Sequence, residues 1–135
     1  MTTQQLFRTV PDDVLKFGIG SKFQPRRVAD LLSLEKSEVS RIAEVSPASV
    51  RYDKQIPKNV RDRLEEIASV CNLVAGFFDG DPGKTALWFK TKNPMLGDIA
   101  PRDMVRLGRY DRLRKFVISA VLEQNKASVG NRKGV

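Results

Sequence analysis

Apolar positions along this chain recur every three or four residues and never alternate for long, which predicts helices and no β-strand. The clearest run lies between Ile56 and Phe78. There Val60, Leu64, Ile67, Cys71, Val74 and Phe78 are spaced 4, 3, 4, 3 and 4 apart. That spacing puts one apolar seam along one long helix. At about three heptads the seam is short for a free coiled coil, so it reads as a spine for the rest of the chain, with a dimer seam as the other use.

Shorter helical patterns flank the spine. Val28, Leu31 and Leu32 follow Pro25, a first-turn residue, and predict a helix that breaks at Ser33 or Leu34. Lys36 to Glu44 predicts a second, with Val39, Ile42 and Ala43 inward. Ser46 as N-cap and Pro47 at the first helical position predict a short helix through Tyr52, with Val50 inward. Beyond the spine, Asp81-Pro82 starts a helix over Lys84 to Thr91, Pro101 starts another to Leu107, and Tyr110 to Glu123 form the last. Leu113, Phe116, Val117, Ala120 and Val121 give that last helix its apolar face.

The predicted fold class is all-α: an N-terminal helix-turn-helix lobe joined by the long helix to a small C-terminal helical domain. The expected divisions are an N-terminal segment 1–24, the helix-turn-helix lobe 25–63, a partner-binding domain 64–125 and a mobile basic tail 126–135. Gly18-Ile19-Gly20-Ser21 looks like a phosphate loop, but it lacks the following Lys-Ser/Thr and a preceding strand, and reads as a hinge.

Charge changes the picture more than composition does. With 135 residues and 41% hydrophobic content the chain can build a packed core. Lys and Arg number 24 against 16 Asp and Glu, for a net charge of +8. Such a surface favours a polyanionic partner through counterion release. No apolar stretch is long enough for a membrane span, and the first residues have neither the basic cap nor the apolar core of a secretory signal. A single cysteine excludes an internal disulfide and a cysteine-rich zinc site. The expected location is the cytoplasm.

Bases concentrate in two places. From Ser46 to Arg63 five bases stand against two acids, net +3, and from Arg102 to Lys115 six stand against two, net +4. In the first, Lys36–Glu44 and Ser46–Tyr52 have the layout of a helix-turn-helix, with Glu44 where a turn glycine is usual. The second helix of such a unit reads the major groove. Ser46, Ser49, Arg51, Tyr52, Lys54 and Lys58 are then the expected DNA contacts, Arg toward base edges and Ser and Tyr toward phosphates. A second register, with Ala29, Ser33 and Val39 on the template, makes Lys36–Glu44 the reader instead.

The most specific run is Ala86 to Gly108. It orders a Trp88 helix, an Asn93-Pro94 turn, Leu96-Gly97, a helix start at Pro101 and a helix-ending Gly108. This order resembles the toxin-binding domain of the Xre/MbcA/ParS antitoxin family, and Ser46-Pro-Ala-Ser-Val-Arg51 resembles that family's reader helix. The likeness covers about Lys36 to Leu122. It departs at Gly97-Asp98, where the family commonly has Gly-Gly or Gly-Lys, and at Ala100-Pro101, where it has Thr-Pro.

The resemblance implies an antitoxin of a type II toxin–antitoxin system that blocks the NAD site of a RES-domain toxin. Operator DNA is the second implied partner, with a homodimer or a larger toxin–antitoxin assembly. On this likeness Asn93, Pro94, Leu96 and Gly97 shape the toxin-binding corner, and Arg109, Arg112, Lys126, Arg132 and Lys133 engage the toxin. Trp88 is expected in the core. A stand-alone helix-turn-helix regulator is the alternative, and an adaptor using its basic surface for protein contacts is a third. No enzyme activity, cofactor or metal is expected: the chain has no histidine, and no carboxylate cluster or activated serine can be nominated.

Overall fold

One long helix carries the others. The computed structural model describes the backbone of residues 11–133 and the side chains as far as residue 126. Helix α3, Lys58–Ala75, buries Val60, Leu64, Ile67, Cys71 and Val74, the expected seam. Phe78 falls just beyond, on the 3-10 turn Gly76–Phe78. Helices α1 (Pro25–Leu31), α2 (Lys36–Ala43), α4 (Pro82–Lys90) and α6 (Tyr110–Lys133) all pack on α3. Helix α5 (Pro101–Arg106) packs on α2, α4 and α6 and closes the ring. The described residues hold these six α-helices and no strand, only an isolated antiparallel bridge between Asn93 and Ile99. The protein is all-α.

Hydrophobic burial runs without a break from Leu15 to Val117 through one core. The expected division at 63/64 therefore falls inside α3, with buried neighbours on both sides. Cys71 is fully buried, and desolvation pushes its thiol far above the ordinary range, so it packs as a small apolar side chain.

Helix starts follow the prolines and acids. Pro25, Pro82 and Pro101 each open a helix. The Asp81 carboxylate accepts the Lys84 amide at 3.0 Å, while the Thr85 hydroxyl donates to the Asp81 carbonyl at 2.7 Å. Glu44 closes α2 at φ 57°, in the left-handed region that the turn glycine would supply.

Two expectations need correction. The helix expected at Ser46–Tyr52 is only a 3-10 turn, Pro47–Ser49, followed by extended chain. Asp53 Oδ1 takes the Gln55 amide at 3.0 Å, a local bond that competes with helix, and Pro57 disfavours helical geometry at Ile56. The last helix does not stop at Glu123 but continues to Lys133 in place of an irregular tail. No proline interrupts Gln124 to Lys133, and Gly130 costs about 1 kcal/mol without ending a helix outright. Gly18–Ser21, expected as a hinge, is fastened at its first residue. The Asp13 carboxylate accepts the Phe17 and Gly18 amides at 2.9 and 2.8 Å and the Asn72 side chain at 3.2 Å, pinning the loop to α3. Gly18 itself has φ +91°, and a Cβ there would lie 2.1 Å from the Lys22 carbonyl oxygen. Residues 1–10 of the expected N-terminal segment lie outside the described residues.

The contact between α2 and α5 is polar at its centre. Glu38 on α2 is only 7% exposed. Its carboxylate accepts the Glu35 amide at 2.9 Å and an Arg106 N–H, and lies 3.7 Å from Arg102. Arg102 also donates to the carbonyls of Leu32 and Ser33, beyond the end of α1. One α5 arginine thus grips the α1–α2 turn, and both arginines hold Glu38.

Burial raises the Glu38 carboxyl, but the Glu35 amide and the two arginines outweigh it and hold it below the ordinary 4.5. A lowered folded-state value contributes stability above the ordinary range and loses it as pH falls through the folded value. Glu38→Gln is expected to destabilise the chain by about 1–3 kcal/mol near neutral pH in urea unfolding. The loss should shrink as pH falls from 4.5 through the lower folded value, where Glu38 in the folded chain itself becomes neutral. A loss that stays constant across this range would remove the charge pairing from the explanation.

Candidate functional site

The residues expected at a DNA surface lie together on the loop between α2 and α3, but most of their charge is already engaged. Arg51 donates from Nε and Nη2 to Asp53 at 2.8 and 2.5 Å and from Nη1 to Gln55 at 2.9 Å. That pairing raises the arginine and lowers the aspartate from their ordinary values. Lys58 is paired with Asp62 at 2.6 Å. Ser46 and Ser49 share a hydrogen bond of 2.8 Å between their hydroxyls. Tyr52 is half-buried, with the Arg26 guanidinium 5.4 Å from its ring centroid.

Lys54 in the loop and Arg41 in the last turn of α2 are exposed and have no carboxylate partner among the described residues. Arg41 was missed in the sequence. Its signal was the second helix-turn-helix register, which makes α2 the reader.

The second candidate surface is the corner from Asn93 to Gly97. Asn93 Oδ1 accepts the Met95 amide at 2.9 Å, and Asn93 and Ile99 pair across the turn. Pro94–Leu96 form a 3-10 turn that ends at Gly97, φ +77°. Leu96 is buried and anchors the corner from inside. Pro94 and Met95 form the outward knob, Met95 being 77% exposed.

Asn93 also lines an apolar groove of about 290 Å³. Its other walls are Val74, Phe77 and Phe78 at the end of α3, Trp88 on α4, and Phe116, Val117 and Ala120 on α6. Phe77 is 38% exposed at this groove. Trp88, expected in the core, is half-buried here, and the adjacent Phe89 is the fully buried anchor. The two rings meet edge to face at 5.1 Å between centroids. The sequence signal for the groove was the Phe77-Phe78 pair, of which only Phe78 fits the seam.

The second basic cluster divides cleanly. Arg102 and Arg106 are spent on Glu38 and Asp103. Arg109 and Arg112, both expected contacts, are exposed at the start of α6 with no carboxylate partner among the described residues, and Lys126 is exposed further along it. The side chains of Arg132 and Lys133 lie outside the described residues.

Comparison with models of known protein families, with curated proteins and with solved structures gives no match to this chain. No helix among the described residues is long and apolar enough to cross a membrane.

The corner depends on two local devices. Asn93→Ala, which removes the cap, should cost about 1 kcal/mol. Gly97→Ala, which forces a Cβ into the left-handed region, should cost about 1–2 kcal/mol. Thermal unfolding of both variants checks these values. An unchanged midpoint for Gly97→Ala would mean that the turn relaxes to a different geometry.

Proposed function

We propose that this protein is an antitoxin of the Xre/MbcA/ParS type, which binds a RES-domain toxin and blocks access to its NAD site. The observation that carries this reading is the form of the Ala86–Gly108 segment. Each residue behind the resemblance has a local task there: Asn93 caps, Leu96 anchors, Gly97 turns, and Pro101 opens α5. The resulting corner borders a groove walled by Phe77, Trp88 and Phe116. An apolar groove whose α6 wall follows the exposed Arg109 and Arg112 in the chain suits a protein partner with an apolar anchor and acidic rim. Blocking is steric in this reading: the corner seats the toxin and α6 with its basic end covers the pocket.

The test is co-expression with a RES-domain toxin encoded beside this chain, followed by co-purification and an NAD-consumption assay. The intact chain should bind and suppress turnover. Phe77→Glu should weaken binding by about tenfold or more, equivalent to about 1.4 kcal/mol, with the helical circular dichroism retained. A chain ending at Gln124 should leave the toxin partly active. Full suppression by both variants would move the contact elsewhere on the protein.

A second role, repression of the shared operon, is supported by Lys54 and Arg41 around the α2–α3 loop, which have no carboxylate partner among the described residues. The helix-turn-helix lobe is part of this proposal, with α2 as the reader helix, because Ser46–Tyr52 is not α-helical. The double variant Arg41→Ala, Lys54→Ala should bind its own upstream DNA more weakly, and the log–log salt slope should fall by about 2. An unchanged slope would exclude phosphate contacts by this pair. DNA binding with no toxin complex would favour the stand-alone regulator.

A further inference from the structure

A cleft of about 430 Å³ opens beside the α2–α3 loop, and of the residues that line it only Lys54 has a part in the proposed DNA role. Its size falls within the range of sites that take a small organic molecule. The apolar walls are Phe23, leading into α1, and Tyr52 and Ile56 from the loop. Polar groups come from Ser21, Lys54 and Arg61.

The charges around it are unequal in their freedom. Asp53, the acid on the cleft, has both oxygens held by Arg51 and one also by the Gln55 amide. Arg61 gives Nε to Glu65 at 2.8 Å and Nη2 to the Gly20 carbonyl, which fixes the guanidinium and leaves Nη1 without a bond among the described residues. Lys54 has no carboxylate partner among the described residues. The cleft therefore combines an aromatic wall with a spare ammonium, a fixed guanidinium and a hydroxyl. Arg26, which does not line the cleft, stacks on the Tyr52 ring and steadies it.

We infer that this cleft binds a single nucleotide unit, with its base against Tyr52 and Phe23 and its phosphate at Lys54, Arg61 and Ser21. Base–aromatic stacking tolerates any base, and ammonium, guanidinium and hydroxyl donors all serve phosphate oxygens. Duplex DNA keeps its base faces stacked and cannot fill the aromatic part. The ligand is then either a free mononucleotide or an unpaired nucleotide of a single strand. This site is independent of the toxin groove, which is walled by other residues.

The test is an NMR titration of the full chain with the four ribonucleoside 5′-monophosphates, with adenosine and with inorganic phosphate. At least one nucleotide should give saturable shifts at the amides of Phe23, Tyr52, Lys54 and Ile56. Adenosine and phosphate should each bind at least about fivefold more weakly, and Lys54→Gln should weaken the nucleotide by a similar factor. Lys54 is exposed, so this variant keeps the core intact. Tighter binding of a short oligothymidylate at the same amides would assign the site to single strands, and equal binding would assign it to free nucleotides. No saturable shift at millimolar nucleotide would overturn the proposal. So would inorganic phosphate binding as tightly as the nucleotides.

Discussion

The buried seam of α3 is the constraint from which the rest follows. Val60, Leu64, Ile67, Cys71 and Val74 occupy a single stripe, and four of the five other α-helices close over it. Each aliphatic side chain so buried contributes about 1.5–3 kcal/mol of transfer free energy, set against the entropy of ordering the chain. A small domain has few such surfaces, so the helices share one rather than building two cores. Helix α5 stands apart from the seam and is held instead on α2, α4 and α6. Its polar link through Glu38 fixes the α1–α2 turn against the C-terminal half of the molecule, in a place where apolar packing alone would leave sliding possible.

Net charge is a poor guide to where this protein is attractive to anions. Arg51, Lys58, Arg61, Arg63, Arg102 and Arg106 are each within ion-pair distance of a carboxylate. Pairs on the exposed helix faces contribute little to stability, commonly below about 1 kcal/mol, yet each lowers the local field. The field that remains comes from bases outside those pairs, among them Lys54 and Arg41 near the α2–α3 loop and Arg109 and Arg112 at the start of α6. Residue counting finds two basic stretches but cannot tell spent arginines from free ones.

What the sequence made legible was punctuation and period. The 4-3-4-3 spacing located α3, Asp81 and Pro82 located α4, and Pro101 located α5, because these signals act within one or two turns of backbone. Ser46-Pro47 misled for a physical reason: the same pair opens an α-helix or a 3-10 turn, and the decision rests with Asp53 and Pro57 downstream. The candidate site was readable only in its backbone. Asn93 and Gly97 announced a turn, but the groove beside it gathers Phe77, Trp88 and Phe116 from three elements, and no local pattern unites them. Glu38 was equally hidden, since its partners lie 64 and 68 positions away.

The two candidate binding surfaces stand at opposite ends of the same helix. Arg61, in the first turn of α3, borders the cleft, and Val74, in its last turn, borders the groove. At 1.5 Å per residue they are about 20 Å apart along the axis. A small molecule in the cleft therefore does not reach a partner seated in the groove, and competition between them needs a change in α3 itself. One face of the helix is buried from Val60 to Ala75, and no proline interrupts it. Coupling between sites requires an element with two arrangements that both ligands bias. Helix α3 shows one arrangement, so occupancy of the two proposed surfaces is expected to be additive, each ligand stabilising the folded chain by an amount set by its own affinity and concentration.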